Sequence, residues 1–485
     1  MGELVIGLDL GTTLCKAGAY ELNGNLIGSA QKAISTFRPY PGWVEQNPDE
    51  WREAIVTVLK KLVIDFKEKA EDITAIGLST HGPSVILTDE RFRPLQYCPI
   101  WQDQRAASLT NDLIQKAGIE WIGLGTPESS FGVQLYWLML NKPEILKKAA
   151  YILDVKGYVL ACLTGRAVDE PSSSLGSDIS NQSLIKTLDI DPSKLAKTES
   201  SLSVVGNLLP EIQEQVKLPV TVAVVAGLND GAAATLGAGI VNLGQGIVSL
   251  STNGVMRTTI QSRMPGRILV ENSMFCYPYV NSMFVTGGMT KCGGDSISWL
   301  IETFYQDFKN DPNVFDEVAY EASQCPPGAD GVIFMPYLVG MGTPTPTNVP
   351  QGAFMNLGRH HNRAALTRAL LEGVAFALRD IGEKFDELGL SWENLRFSGG
   401  GSKNLVWRQI VADILGKPLS PTRADSVLGA AIMAATGVGF FDNVKDGVRL
   451  MVPKGTIVEP ILENTRLYEQ FYEKFKRIKR ALALI

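Results

Sequence analysis

The sharpest pattern in the chain lies at residues 221–239, TVAVVAGLNDGAAATLGAG. Val222, Val224 and Val225 predict a buried strand, Asn229-Asp230-Gly231 a turn, and the alanines that follow a helix of very small side chains. Asp230 therefore stands where a strand ends and a helix begins, either as a helix cap or as a carboxylate offered to a ligand. Upstream, residues 4–9 alternate and stop at Gly11-Thr12-Thr13. A second strand follows at residues 15–20, then the tight-turn pair Asn23-Gly24 and a third strand at 26–33. Asn47-Pro48 opens a helix with Trp51, Ile55, Val58, Leu59 and Leu62 on one face. Residues 73–80 and 85–88 read as buried strands. Meandering strands, a helix and further strands predict an α/β domain with a mixed sheet.

Residues 90–220 are less regular and read as an elaboration on that domain. They hold Trp101-Gln102-Asp103-Gln104-Arg105, a helical stretch at 131–140 and a serine-rich run at 171–174, expected to be a polar loop. The pattern then restarts. Residues 246–251 form a strand, Thr252-Asn253-Gly254 a turn and residues 255–260 a returning strand, the same device as residues 4–20. This predicts an internal structural repeat. Two such hairpins across a cleft suit a polyphosphate, held by backbone N–H groups and threonine hydroxyls. Gly287-Gly288 and Gly293-Gly294 precede a helix containing Trp299, and another helix is expected at 362–388. A strand at 395–398 feeds Gly399-Gly400-Gly401-Ser402 and a helix at 404–415, a shape for close approach to a nucleotide. It is neither the dinucleotide fingerprint nor a Walker loop. The tail from residue 463 reads as a charged amphipathic helix.

A chain of 485 residues exceeds one compact core, so at least two domains are expected. A net charge of −6 argues against a nucleic-acid or anionic-membrane binder. Six scattered cysteines without a C-x-x-C pair read as reduced thiols of a cytoplasmic protein, and the amino terminus shows no secretory pattern. Residues 231–256 carry no charge, but six glycines and several amides and hydroxyls argue against a membrane span. The chain has three histidines, and the adjacent His360-His361 are poorly placed as a zinc pair.

Several motifs together resemble the FGGY family of carbohydrate kinases, of the actin/hexokinase-like ATPase superfamily, across residues 4–439. Asp9-Leu10-Gly11-Thr12-Thr13 with Lys16 is similar to the first phosphate loop, and residues 249–255 (SLSTNGV) to the second. Residues 399–405, continuing through Trp407, Gln409, Ala412 and Asp413, resemble the adenosine motif, and residues 352–376 the second family signature. Residues 42–51 (GWVEQNPDEW) and Thr80-His81-Gly82 are most similar to the xylulokinase-like branch.

The resemblance implies an α/β fold of two ribonuclease H-like domains around a central cleft. Residues 1–244 would bind the acceptor and carry the first phosphate loop, and residues 245–485 would bind the nucleotide. It implies transfer from ATP with Mg²⁺ to a sugar or polyol hydroxyl, Asp230 as catalytic base and Asp9 as the metal-associated carboxylate. Thr12, Thr13, Lys16 and Thr252 would meet phosphates, and Gly294, Gly400, Gly401 and Asn404 the nucleotide. Thr80, His81, Trp101 and Asp103 would meet the acceptor, although Asp103 and Arg105 have the spacing simply to pair with each other. The partner implied is a small molecule, with no nucleic acid and no membrane, and a homodimer is left open.

Departures bear on the acceptor. Ser251 and Asn253 replace a glycine and a serine in the second loop, Gln134 a lysine, Met341-Gly342 a Glu-Arg pair, and Thr80 a methionine. His81-Gly82 occupies the place of the glycerol kinases' Arg-Glu clamp, whereas Trp101-Gln102-Asp103 is glycerol-kinase-like. A ketopentose is the expected acceptor. Glycerol, another polyol or a different sugar is the alternative, and an actin-like switch ATPase is the rival from another class.

Overall fold

The computed structural model describes residues 3–65, 67–123, 127–176, 181–308, 311–422 and 425–482, and two six-stranded sheets carry it. The first contains β1 (Leu4–Leu10), β2 (Leu14–Glu21), β3 (Leu26–Ala33), β4 (Ile73–Thr80), β5 (Val204–Asn207) and β6 (Ala223–Asn229), in the order β5-β6-β4-β1-β2-β3. All seven residues of β1 are buried, as expected of a strand covered on both faces. It pairs antiparallel with β2 and parallel with β4.

The second sheet contains β7 (Gln245–Leu250), β8 (Gly254–Ile260), β9 (Met274–Pro278), β10 (Phe284–Thr290), β11 (Glu393–Ser398) and β12 (Leu419–Pro421), in the order β9-β10-β8-β7-β11-β12. Its central strand β7 pairs antiparallel with β8 and parallel with β11, repeating the arrangement around β1. The internal repeat read from the two hairpins is thus a repeat of whole sheets.

Helices α1 (Pro48–Asp65) and α2 (Val155–Thr164) pack on one face of the first sheet with Leu4, Ile6 and Leu8, and α3 (Asp230–Gly237) lies on the other, with Val5. The second core holds α4 (Gly294–Phe304), α5 (Val314–Ser323), α6 (Arg363–Glu387) and α7 (Leu405–Leu415). Helix α8 (Ser426–Gly437) then returns to the first sheet. It fits because a Cβ at Gly7 would stand 1.8 Å from the Val427 carbonyl and one at Gly77 2.0 Å from that of Ala430. A division at residue 244/245 separates the strands of the two sheets, but α8 lies across it.

The serine-rich run is not the polar loop expected. Pro171–Gly176 is a short helix, and Ser172 is buried. The tail is the expected amphipathic helix, Leu462–Leu482, burying Tyr468, Tyr472 and Phe475. Among the described residues no helix is long and apolar enough to cross a membrane.

Candidate active site

Asp9, second-last in β1, is almost fully buried and accepts a 2.6 Å bond from the Ser79 hydroxyl. Burial pushes its carboxyl above the ordinary range, against the pull of Ser79, Ser426, Lys16 and Lys156. Lys16 lies directly across from it on β2. The turn between these strands is anchored from outside: Trp101 Nε1 donates to the Thr12 hydroxyl at 2.9 Å and Gln46 Nε2 to the Thr12 carbonyl at 2.7 Å. Thr13 is exposed at the tip.

The second turn is built against glycine. Gly294 N–H donates to Ser251 O at 2.6 Å, and a Cβ at Gly294 would come within 2.7 Å of that oxygen. Thr252 is left exposed. Beside it opens a cavity of about 870 Å³ that brings together Thr252, Gly294, Gly400, Gly401 and Asn404. Phe315, Tyr320 and Leu405 form apolar walls that the sequence reading missed; all three are large apolar side chains left exposed, visible as such only once the fold is known. Thr12, Thr13 and Lys16 do not line this cavity. Asn404 spends its Oδ1 capping α7, on Trp407 N–H at 3.0 Å.

Asp230 opens α3, yet it is not the cap. Asn229 fills that role, its Oδ1 accepting from Ala232 N–H at 2.7 Å. Asp230 is exposed, its Oδ1 accepting from the adjacent Gly231 N–H at 2.6 Å, although protein closes around the carboxylate. That enclosure, followed by the nearby charge of Asp9, pushes its carboxyl up to about 6, with Arg257 opposing. Tyr277 on β9 reaches the same turn from the second sheet, since a Cβ at Gly231 would lie 2.4 Å from its hydroxyl. Tyr277 Oη and Arg257 Nε have no hydrogen-bond partner among the described residues.

His81 is buried edge-on against Trp51, ring centroids 5.2 Å apart, and neither ring nitrogen has a partner. Burial pulls it down to about 4, so the ring is neutral near pH 7. The Thr80 hydroxyl is likewise unpartnered.

Asp103 departs from the expectation of an acceptor ligand. Its two oxygens already accept from Val44 N–H and from the backbone, Nε and Nη2 of Arg105, at 2.6–2.9 Å. These bonds fill a carboxylate's acceptor sites. Arg105 in turn bonds Glu45 at 2.8 Å and lies 3.6 Å over the Trp43 ring. The pairing alternative is the one the structure takes.

His360 and His361 do converge with Asp330, ligand atoms within 4.8 Å. However, His361 Nδ1 accepts from Gly358 N–H at 2.7 Å, so the neutral ring carries its proton on Nε2 and has no lone pair there for a metal.

Two sheets of one design, each ending its central hairpin in a hydroxyl-bearing turn, agree with the sequence comparison. The N-terminal domain of the FGGY family of carbohydrate kinases matches residues 4–237, and its C-terminal domain matches residues 251–438. The chain belongs to this family. It is therefore a carbohydrate kinase, of a family that uses ATP and acts on small-molecule sugars. A xylulose kinase of Staphylococcus epidermidis is 27% identical, over 98% of this chain and 96% of its own length. A gluconokinase of Bacillus subtilis is 26% identical, over 99% and 96%. The crystal structure of a xylulose kinase from Rhodospirillum rubrum superposes with a TM-score of 0.88 at 25% identity, covering 99% of both chains.

Proposed function

We propose that this kinase transfers the γ-phosphoryl group of ATP to a hydroxyl of a ketopentose of the xylulose or ribulose type, with Asp230 as general base. The observation that carries the assignment is the state of three carboxylates. Asp9 is buried on Ser79 and Asp103 is saturated by Arg105, whereas Asp230 is exposed, accepts among the described residues only from the adjacent Gly231 N–H, and is freed from capping by Asn229. A base poised near 6 is ionised at neutral pH and still basic enough to take a hydroxyl proton. The acceptor oxygen attacks the γ-phosphorus, its proton passes to Asp230, and ADP leaves. Positioning and charge stabilisation supply the rest. Thr12, Thr13, Lys16 and Thr252 meet the phosphates from the two turns, while Gly294, Gly400, Gly401 and Asn404 bound the nucleotide.

Mg²⁺ suits Asp9. A single carboxylate plus waters matches its preference, and a cation would relieve the burial that now raises this carboxyl. Bound there, it would neutralise charge on the phosphate oxygens.

The free nitrogens of His81 and the Thr80 hydroxyl support a polyhydroxylated acceptor, with Trp101 as a flat wall. A second reading, a sugar acid, is favoured by the unpaired Arg257 Nε near Asp230 and by the gluconokinase relative. Coupled ADP release across xylulose, ribulose, gluconate and glycerol separates them. A ketopentose should have the highest kcat/KM; gluconate or glycerol preferred by more than tenfold would overturn the acceptor assignment.

A further inference from the structure

Beneath the strand that delivers Asp230 lies a fully buried ionic cluster that phosphoryl transfer does not use directly. We propose that Lys156, Glu170 and Ser172 are positioning residues that set where Asp230 stands by clamping the two residues before it, Leu228 and Asn229. The proposal rests on Asp230 acting as base.

The need for a clamp comes from the sheet. Between β6 and β4 the register slips: Val225 faces Gly77, but Leu228 faces Ser79, so one extra residue is bulged out of β6. Gly227 makes this possible with φ +74°, and a Cβ there would lie 1.8 Å from Leu78 O. A bulge takes carbonyls out of the ladder, and buried carbonyls need donors. Lys156, with no exposed surface, supplies them. Its ammonium donates to Leu78 O at 3.2 Å, Ala226 O at 2.9 Å and Leu228 O at 2.8 Å, three protons on three carbonyls.

A charge so buried lasts only beside opposite charge. Burial pulls the Lys156 ammonium down, and Glu170, Asp154, Asp169 and Asp9 hold it up, Glu170 foremost. Glu170, also without exposed surface, accepts from the backbone and hydroxyl of both Ser172 and Ser173 and from the Ser201 hydroxyl, at 2.6–2.9 Å. Ser172 passes the hold onward. Its hydroxyl donates to Glu170 and accepts from Asn229 N–H at 2.8 Å, while its carbonyl accepts from Asn229 Nδ2 at 2.9 Å. The other end of that amide caps α3. The Leu228 carbonyl is therefore fixed by Lys156, and the backbone N–H and side-chain amide of Asn229 by Ser172 seated on Glu170, and a small displacement of a reacting group costs as much as about 100-fold in rate.

The test uses the full chain with Ser172→Ala, Glu170→Gln as a shape-preserving second variant, Asp230→Ala, and Ser172→Ala combined with Asp230→Ala. Steady-state kinetics with the best acceptor and thermal unfolding are measured on each. Ser172→Ala should lower kcat roughly 10- to 100-fold, with both KM values within threefold. It should lower the residual rate of Asp230→Ala by less than twofold, because the two act as one unit. Wild-type kcat in Ser172→Ala and Glu170→Gln overturns the proposal, as does a loss in the double variant equal to the product of the single losses. Wild-type turnover in Asp230→Ala would instead remove the base assignment, an outcome read on a variant that leaves the clamp intact.

Discussion

Neighbouring glycines in the nucleotide loop separate a ligand's demand for space from the protein's own. Gly399 holds φ +87° and abuts Leu250 O, so the fold requires it. A Cβ at Gly401 would stand 2.8 Å from Leu250 Cβ and 3.0 Å from the Trp407 ring. A Cβ at Gly400 meets nothing within 4 Å, and it points into space beside the cavity that Gly400 helps line. Gly401→Ala should overpack the core at a cost of about 1–3 kcal/mol. At roughly 2–4 °C per kcal/mol, the melting temperature should fall by several degrees. Gly400→Ala should leave stability unchanged or raise it by about 0.4–1 kcal/mol through the unfolded chain. Its methyl group would nevertheless occupy space the nucleotide needs, and a misfit of about 1–3 kcal/mol raises the ATP KM roughly 5- to 150-fold. Coupled ADP release at saturating acceptor, alongside thermal unfolding, reads both effects. A stable Gly400→Ala enzyme whose ATP KM stays within twofold of wild type would refute close approach of the nucleotide to this loop.

His81→Ala and Asp103→Ala should part company. Losing a buried partner to a sugar hydroxyl costs about 1–3 kcal/mol, so His81→Ala should raise the acceptor KM roughly 5- to 150-fold with the ATP KM unchanged. Asp103→Ala leaves Arg105 buried with only Glu45, at a cost of about 3–5 kcal/mol, and should lower the melting temperature while the acceptor KM stays within threefold. A reversed pattern would restore Asp103 as an acceptor ligand. In pH profiles, kcat/KM should rise as Asp230 loses its proton through about 6 and then level off. His81, pulled down to about 4, should add no limb between pH 5 and 8; a flat profile from pH 5 to 8 would argue against Asp230 as the titrating base.

Strands and turns were legible because their signals are local. Alternation marks β1, and the hydroxyl-and-glycine turns followed by a returning strand repeat at both central hairpins, so the doubled sheet could be read before any contact was known. Helix α8 was not, because SVLGAAIMAATG is apolar all round and carries no face to say which sheet it meets. Gly7 precedes its partner Val427 by 420 residues and Gly77 precedes Ala430 by 353, and only the fold joins them. Asp103 stood two residues from Arg105 with both of its readings open, and hydrogen bonds decided between them. Ser172 looked like any polar loop residue because what distinguishes it, burial on Glu170 and a hold on Asn229 fifty-seven residues later, is non-local.

The measurement closest to the central claim is the turnover of Asp230→Asn, taken together with its affinity for ATP by titration calorimetry. The substitution keeps the shape and removes the base. A general base contributes about 10²- to 10⁴-fold, so kcat should fall by that factor while the dissociation constant for ATP stays within twofold. Turnover close to wild type, with ATP still bound, would contradict the account.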